Sequence, residues 1–225
     1  MAEVQRFAHA LAEQVRPAVS ARDRVLPVRS EWEGLFPDGL RRGSTLSIDG
    51  PAAWSAALSL AAGPSAAGGW VIVVGVPGLN ARAAGEHGVV LDRLVLVSLP
   101  APRLWAEAVA AAFDGADVVL SGVPPEGCSR DLRRVQARLA RSQAVMAVVE
   151  GQRCGAYQPD VRVATSHPRW EGTDAGAGRL TARAVRVEVA GRRVPRPRRQ
   201  QMLLPGPGGA VESAVGAVSA LRGAS

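Results

Sequence analysis

Five short apolar segments, separated by stretches of helical or turn character, constrain the fold of this 225-residue chain most strongly. They are Thr45–Ile48, Trp70–Val74, Leu94–Leu99, Asp117–Leu120 and Ala144–Val149. Apolar strands joined through helices are typical of a parallel sheet that is covered by helices on both faces. The sequence therefore predicts an α/β, doubly wound domain with a mainly parallel sheet.

The segments between these strands carry helix signals. Asn80 can cap a helix that runs to about His87, and Arg103–Phe113 fits a second helix. Ser129 can cap a third helix, whose inward positions would be Leu132, Val135 and Leu139. The stretch Glu31–Gly43 is expected to be a loop, with a turn at Pro37-Asp38-Gly39.

The pattern changes beyond Gly151. Asp160–Thr165 and Leu180–Val189 are predicted strands with no helix between them, which favours late antiparallel strands. In the second strand, Val185, Val187 and Val189 alternate with Arg186 and Glu188, so one face is apolar and the other polar. The Pro/Gly run 205–209 is typical of a linker.

The stretch Ser44–Gly63 is a strand, a glycine turn and an Ala/Leu helix, which is the frame of a phosphate-binding P-loop. A working loop reads G-x-x-x-x-G-K-[ST], in which the lysine neutralises phosphate and the hydroxyl holds magnesium. Counted from Gly50-Pro51, the last three of these positions fall on Ser55, Ala56 and Ala57. The chain contains no lysine that could substitute. Trp54 would crowd phosphates, and we predict that it fills the vacated site.

No other catalytic or metal-binding pattern is found in the sequence. His9, His87 and His167 are far apart and have no cysteine or acid at metal-ligand spacing. Cys128 and Cys154 are too few for a metal cluster or a disulfide framework. We therefore expect no catalytic residue, no metal and no cofactor.

The net charge of +7 arises from one segment, Arg179–Arg199, which holds eight arginines and one acid, Glu188. A localised positive charge favours contact with a nucleic-acid backbone or an acidic protein surface. A solvated basic face remains the alternative. The candidate contact residues are Arg179, Arg183, Arg186, Arg192, Arg193, Arg196, Arg198 and Arg199.

Both ends of the chain have helical periodicity and are candidate partner interfaces. Near the N-terminus, residues 2 to about 16 place Val4, Phe7, Leu11 and Val15 on one face, although this helix could also pack on its own domain. Residues 210–221 predict a weak helix carrying Val211, Val215 and Val218. No apolar run reaches the length of about 20 residues that crosses a membrane, and we expect a cytoplasmic protein.

The order of these parts resembles the RecA core. The resemblance rests on an N-terminal helix, Gly-Leu-Arg-Arg-Gly at 39–43, Asp-Gly-Pro at 49–51, alternating α/β elements and late antiparallel strands. It is most similar to actinobacterial ImuA-type proteins of the DNA-damage mutagenesis cassette, over residues 24–199. The implied domains are an N-terminal helical segment 1–23, a RecA-like core 24–204, and a linker with a weak helix at 205–225.

The resemblance implies a role in damage-induced translesion synthesis. The implied partners are ImuB and, indirectly, an error-prone DnaE-type polymerase, with RecA and DNA as further candidates and the nucleoid as the place of action after damage. The family pattern would place a magnesium-binding acid where this chain has Ser121, and a catalytic glutamate after Val74, where Gly75 follows. The chain is therefore expected to be a scaffold that does not hydrolyse ATP.

Three other functions stay open at this point. The chain could be a single-stranded-DNA-binding module centred on the arginine-rich segment. It could be a SulA-like inhibitor of cell division, since SulA-type proteins resemble RecA without a P-loop. An ATP-dependent recombinase would require nucleotide binding.

Overall fold

The computed structural model describes residues 24–126, 129–150, 154, 157–174 and 177–213. Within these ranges the chain forms eleven strands and five α-helices. The strands are β1 (Val25–Leu26), β2 (Leu40–Arg41), β3 (Thr45–Asp49), β4 (Val71–Val74), β5 (Leu94–Val97), β6 (Val118–Ser121), β7 (Val145–Val149), β8 (Val161–Asp174), β9 (Ala177–Gly191), β10 (Val194–Leu203) and β11 (Glu212–Ser213). The helices are α1 (Ser30–Glu33), α2 (Ala53–Ala66), α3 (Ala81–Glu86), α4 (Trp105–Ala112) and α5 (Ser129–Leu139).

Nine of these strands form one sheet in the order β11-β10-β9-β8-β3-β7-β6-β4-β5. The six strands β8, β3, β7, β6, β4 and β5 run parallel to one another. The strands β9, β10 and β11 continue the sheet beyond β8, and each is antiparallel to the strand before it. This arrangement confirms the predicted α/β, doubly wound, mainly parallel sheet with late antiparallel strands. The late strands are longer than expected, since β8 and β9 have 14 and 15 residues.

Helices cover both faces of the parallel part. On one face, α2 packs with small residues such as Ala56 and Ala61 against β3, β4, β6 and β7. On the other face, α4 and α5 contribute Val109, Leu132 and Leu139 to a second core cluster. Each central strand is therefore buried on both sides, which explains its continuous apolar sequence.

The stretch 31–43 is not the loop that the sequence suggested. It contains α1 and β2, and Trp32, Leu35 and Leu40 are each no more than 3 % exposed. The Trp32 indole Nε1 donates to Ser59 Oγ of α2 at 2.7 Å. These apolar side chains close one end of the core, which a short helix of four residues does not reveal by periodicity.

The Pro/Gly run 205–209 is a tight turn within the sheet, and the linker prediction was wrong. The Gly206 N–H donates to the Ala210 carbonyl at 2.7 Å, and β11 then pairs with β10. Val211 is 1 % exposed and belongs to the core, so it is not available as a partner contact. An extended β11 also replaces the start of the predicted helix 210–221.

The remaining predictions for the two ends fall outside the described residues. These are the N-terminal helix with Val4, Phe7, Leu11 and Val15, and the positions Val215 and Val218. In the described part of the chain, no helix is long and apolar enough to span a lipid bilayer.

Candidate functional site

The carboxyl ends of the parallel strands meet at one edge of the sheet, where open α/β sheets bind their ligands. Three of the predicted site positions lie at this edge. Gly50 follows β3, Gly75 follows β4, and Ser121 is the last residue of β6. These are the positions at which a nucleotide-hydrolysing site would need its phosphate loop and its two carboxylates.

The loop at Gly50 is closed by β8. The Ala52 N–H donates to Thr165 Oγ1 at 3.0 Å, and this hydroxyl donates to the Asp49 carbonyl at 3.0 Å. Gly50 has a φ of +101°, and a Cβ at this position would overlap the Thr165 carbonyl oxygen. A backbone N–H group at the start of α2, of the kind that cradles phosphate in a working loop, is therefore already bonded within the chain.

Arg183 of β9 reaches over the same loop. Its Nη1 donates to the Pro51 carbonyl at 2.8 Å, and its Nη2 donates to Ser55 Oγ at 3.0 Å. Its Nε donates to the Leu204 carbonyl at 2.7 Å. The guanidinium also lies 5.0 Å from the centroid of the Trp170 ring. All three guanidinium nitrogens are thus engaged, and they tie the loop to β9 and to the end of β10.

The electrostatics of this region follow from partial burial. Desolvation lowers the pKa of Arg183, although arginine stays protonated in proteins. His87 is only 7 % exposed, and its Nδ1 has no hydrogen-bond partner among the described residues. Burial and then the positive charge of Arg183 lower the pKa of His87, against an opposing contribution from Glu86. Burial and the positive charge of Arg183 therefore both favour the neutral form of the His87 imidazole.

Trp105 covers the positions where the two carboxylates would stand. Its indole Nε1 donates to Ser121 Oγ at 2.7 Å, and Ser121 donates in turn to the Gly122 carbonyl at 3.0 Å. A Cβ at Gly75 would lie 2.7 Å from Leu99 Cδ1 and 4.0 Å from Trp105 Cδ1. Apolar side chains therefore fill the space above the ends of β4 and β6.

The remaining loop positions are buried or partly buried in the apolar core. Ala56, which stands at the lysine position, and Ala57, at the hydroxyl position, are each 0 % exposed. Trp54 is half-buried and packs against the core cluster beneath α2. Thr165 and Arg183 bond the Ala52 N–H, the Pro51 carbonyl and the Ser55 hydroxyl, so these two residues also close the loop for which a filling role was predicted for Trp54.

No group of three or more histidine, cysteine, aspartate or glutamate side chains within the described ranges is arranged to hold a metal ion. Asp49, at the end of β3, accepts a short hydrogen bond from the Ser47 hydroxyl. Tyr157 is buried and donates its hydroxyl to the Leu46 carbonyl at 2.9 Å, and burial raises its pKa. Asp49 thus lies at the carboxyl end of β3, whereas Tyr157 contacts β3 near its beginning.

The eight arginines predicted as one basic patch are divided between several surfaces. Arg183 enters the loop, and Arg198 Nη1 donates inward to the Leu35 carbonyl at 3.1 Å. Arg192 and Arg193 share the carboxylate of Asp160 at 3.3 and 3.1 Å. Arg199 pairs with Glu188 at 2.7 Å. The three that make no hydrogen bond or ion pair with other described residues are Arg179, Arg186 and Arg196.

Sequence reasoning missed the closing roles of Thr165, Trp105 and Arg183, although one signal was present. Arg183 has the same parity in β9 as Val185 and Val187, which are 2 % and 0 % exposed. A charged residue at an inward position of an amphipathic strand must have buried partners. The roles of Trp105 and Thr165 depend on contacts distant in sequence, for which no local pattern exists.

The sequence model of the MT3502 N-terminal domain matches residues 34–154, which is more than half of the chain. The chain belongs to the MT3502 N-terminal domain family. The match includes Gly50, Gly75, Trp105 and Ser121. Thr165 and Arg183 lie beyond the matched residues of the MT3502 N-terminal domain. The side chains that close the loop at Gly50 therefore come from a part of the chain that the family model does not cover.

Among solved structures, the chain is similar to that of the RadB recombinase. The two share 13 % sequence identity with a TM-score of 0.57, over 82 % of this chain and 96 % of the recombinase chain. This likeness shows a RecA-like fold for a member of the MT3502 N-terminal domain family. No curated protein matches the sequence.

Proposed function

We propose that this protein is a non-catalytic, RecA-like accessory protein of damage-induced translesion DNA synthesis. It would act as a scaffold for ImuB and, through ImuB, for an error-prone DnaE-type polymerase. The observation that carries the non-catalytic part is the closed phosphate loop, in which Thr165 accepts the Ala52 N–H and Arg183 covers the Pro51 carbonyl and the Ser55 hydroxyl. The translesion part is supported by the order of sequence elements that the chain shares with ImuA-type proteins.

Charge and space together support the proposal that this protein does not hydrolyse ATP. Phosphoryl transfer depends on positioned charge, supplied by a lysine, a magnesium-binding acid and a group that orients water. Here the corresponding positions are Ala56, Ser121 and Gly75, and each is buried or bounded by neighbouring side chains. Nucleotide entry would also require Arg183 to give up its hydrogen bonds to Pro51 and Ser55.

We expect no binding of Mg-ATP to the purified protein at nucleotide concentrations up to about 1 mM, a limit equivalent to about 4 kcal/mol of binding free energy. Isothermal titration calorimetry measures this directly, with an active RecA-type ATPase as the positive control. Micromolar binding of Mg-ATP would mean that the loop opens readily. That result would contradict the non-catalytic assignment and favour an ATP-dependent recombinase.

The scaffold assignment predicts a direct interaction with ImuB. Because the apolar face with Val4, Phe7, Leu11 and Val15 is the proposed docking element, we expect removal of residues 1–23 to weaken ImuB binding at least about tenfold, or about 1.4 kcal/mol. Surface plasmon resonance with immobilised ImuB measures the change. The matched control is the full chain with Arg130→Ala, a change on the exposed side of α5.

Two outcomes of this measurement have separate meanings. Undetectable binding of the full chain to ImuB would contradict the translesion role. Unchanged affinity after removal of residues 1–23 would contradict the assignment of the docking element and move the interface to the folded core.

A further inference from the structure

The antiparallel end of the sheet has a face on which four arginines stand together. Residues that pair directly across neighbouring strands share a face of the sheet. The pairs on this face are Arg162 with Ala190, Ser166 with Arg186, Arg186 with Gln201, Glu188 with Arg199, and Arg169 with Ala184. We call Arg162, Arg169, Arg186 and Arg199 on β8, β9 and β10 the arginine face.

The opposite face of the same strands is apolar. Val163, Val187 and Val189 are each 0 % exposed and belong to the core that packs with α2. The helices α4 and α5 pack with β4, β6 and β7, and the cluster that they form contains no described residue of β8, β9, β10 or β11. The arginine face therefore lies beside the helical layer and is not part of either core.

All four arginines of this face are exposed, and they are only partly neutralised. Arg199 is paired with Glu188 at 2.7 Å, and Arg169 lies 3.9 Å from the Glu171 carboxylate. The side chains of Arg162 and Arg186 make no ion pair or hydrogen bond with other residues that the structure describes, although the charge of Arg186 contributes to lowering the pKa of Glu188. Two guanidinium groups on neighbouring strands thus keep their hydrogen-bond donors available.

The residues that lie between these arginine side chains on the same face are small or polar. Ala164 and Ala190 stand beside Arg162, while Ser166 and Gln201 flank Arg186. Small residues let an extended ligand approach the sheet closely, and the long arginine side chains can then contact it from several sides. The large apolar side chain of Leu203, which pairs with Ala184 at one end of this face, is only 3 % exposed and does not offer an anchor for a peptide.

The dimensions favour an extended polyanion over a single small anion. Arg162 and Arg169 pair with Ala190 and Ala184, which are six positions apart on β9, a length of about 20 Å at the usual rise of a strand, and three strands are about 10 Å wide. Arginine matches phosphate groups with paired donors and needs no particular base sequence. A flat face of this width suits one nucleic-acid strand laid across it.

We propose that the arginine face binds the phosphate backbone of single-stranded nucleic acid without sequence preference. Contact with three or four phosphates gives a slope of about −2 to −3 when the logarithm of the association constant is plotted against that of the salt concentration. The inference does not rest on ImuB binding or on the translesion assignment. The proposed binding surface includes Arg162 and Arg169, which lie outside the arginine-rich segment Arg179–Arg199. It does not include Arg183 and Arg198 of that segment, because their side chains form hydrogen bonds toward the interior.

The test measures fluorescence anisotropy of a labelled oligothymidylate at several salt concentrations. The variant R162E/R186E reverses the charges of the two arginines that make no side-chain ion pair with described residues, and we expect binding to weaken at least about tenfold, with the salt slope reduced by about 1.4. The matched control is R130E/R133E, which makes the same change in net charge at exposed positions of α5. Equal weakening by both double variants would show that net charge alone drives binding and would overturn the proposal.

Two competitors distinguish the class of partner. Polyglutamate of equal charge that displaces the oligothymidylate as well as unlabelled oligothymidylate does would assign the face to an acidic protein and overturn the proposal. Tighter binding of a duplex than of the single strand would overturn it as well. Because the exposed side chains of Arg162 and Arg186 make no hydrogen bond or ion pair with described residues, we expect both variants to keep the unfolding temperature of the parent protein within a few degrees. Should R162E/R186E unfold, R162Q/R186Q removes the same positive charges without introducing negative ones and carries the same prediction.

Discussion

Replacing Trp105 with alanine is expected to lower the free energy of unfolding by about 3–5 kcal/mol, the usual range for truncating a buried tryptophan. Trp105 is 3 % exposed and lies over the ends of β4 and β6. The change would remove the ring that packs near Gly75 and leave the Ser121 hydroxyl without the indole donor. Urea denaturation followed by circular dichroism measures the loss.

Trp170→Ala is the matched control for this prediction, because Trp170 is 45 % exposed and lies outside both core clusters. We expect that change to cost about 1 kcal/mol or less. Equal costs for the two substitutions would mean that Trp105 is not the group that closes this edge of the sheet. Trp105→Phe keeps most of the apolar contact and should fall between the two.

Replacing Arg183 with methionine is expected to lower the free energy of unfolding by about 2–3 kcal/mol, because hydrogen bonds from a charged donor are worth more than neutral ones. The methionine keeps part of the apolar stem but cannot donate to the carbonyls of Pro51 and Leu204 or to Ser55. Urea denaturation measures the change, and hydrogen exchange of the amides at the start of α2 reports whether the loop itself loosens.

Arg179→Met is the control for the Arg183 substitution, since Arg179 is exposed on the same strand and makes no hydrogen bond with the described residues. We expect it to change stability by less than about 0.5 kcal/mol. If Arg183→Met were equally neutral, the guanidinium would be a solvated group and the loop would be held by Thr165 alone. Neither substitution is expected to create Mg-ATP binding, because the lysine and both carboxylates are still missing.

The sequence predicts the parallel part of this fold well because its strands are buried on both faces. A strand such as Val71–Val74 has no polar side to obscure its pattern, and its neighbours are joined by helices of recognisable periodicity. The stretches 31–43 and 205–213 were not predictable in the same way. Their elements have only two to four residues, and they are fixed by burial against distant parts of the chain.

For the candidate site, the sequence shows which residue types stand at the loop positions but not which side chains close the space around them. The loss of the lysine and the acid is visible at Ala56 and Ser121. The side chains that close the space, Thr165 and Arg183, come from strands more than 100 residues later in the chain. In the sequence, only the position of Arg183 on the inward-facing side of β9 points to such a role. The loop residues that Arg183 contacts are determined by how the strands assemble in the sheet.

The position of β3 in the sheet has a consequence for assembly of the polypeptide. Its two neighbours are β7 and β8, so Thr45 pairs with Met146, and Leu46 pairs with Val161. Closing loops of about 100 residues costs conformational entropy, and the contacts between the strands offset this cost only after the loops have closed. We therefore expect the centre of the sheet to form late during folding. The 34–154 stretch that defines the family ends before β8 begins. In this chain, one side of the central strand is therefore covered by β8, which lies outside the matched residues.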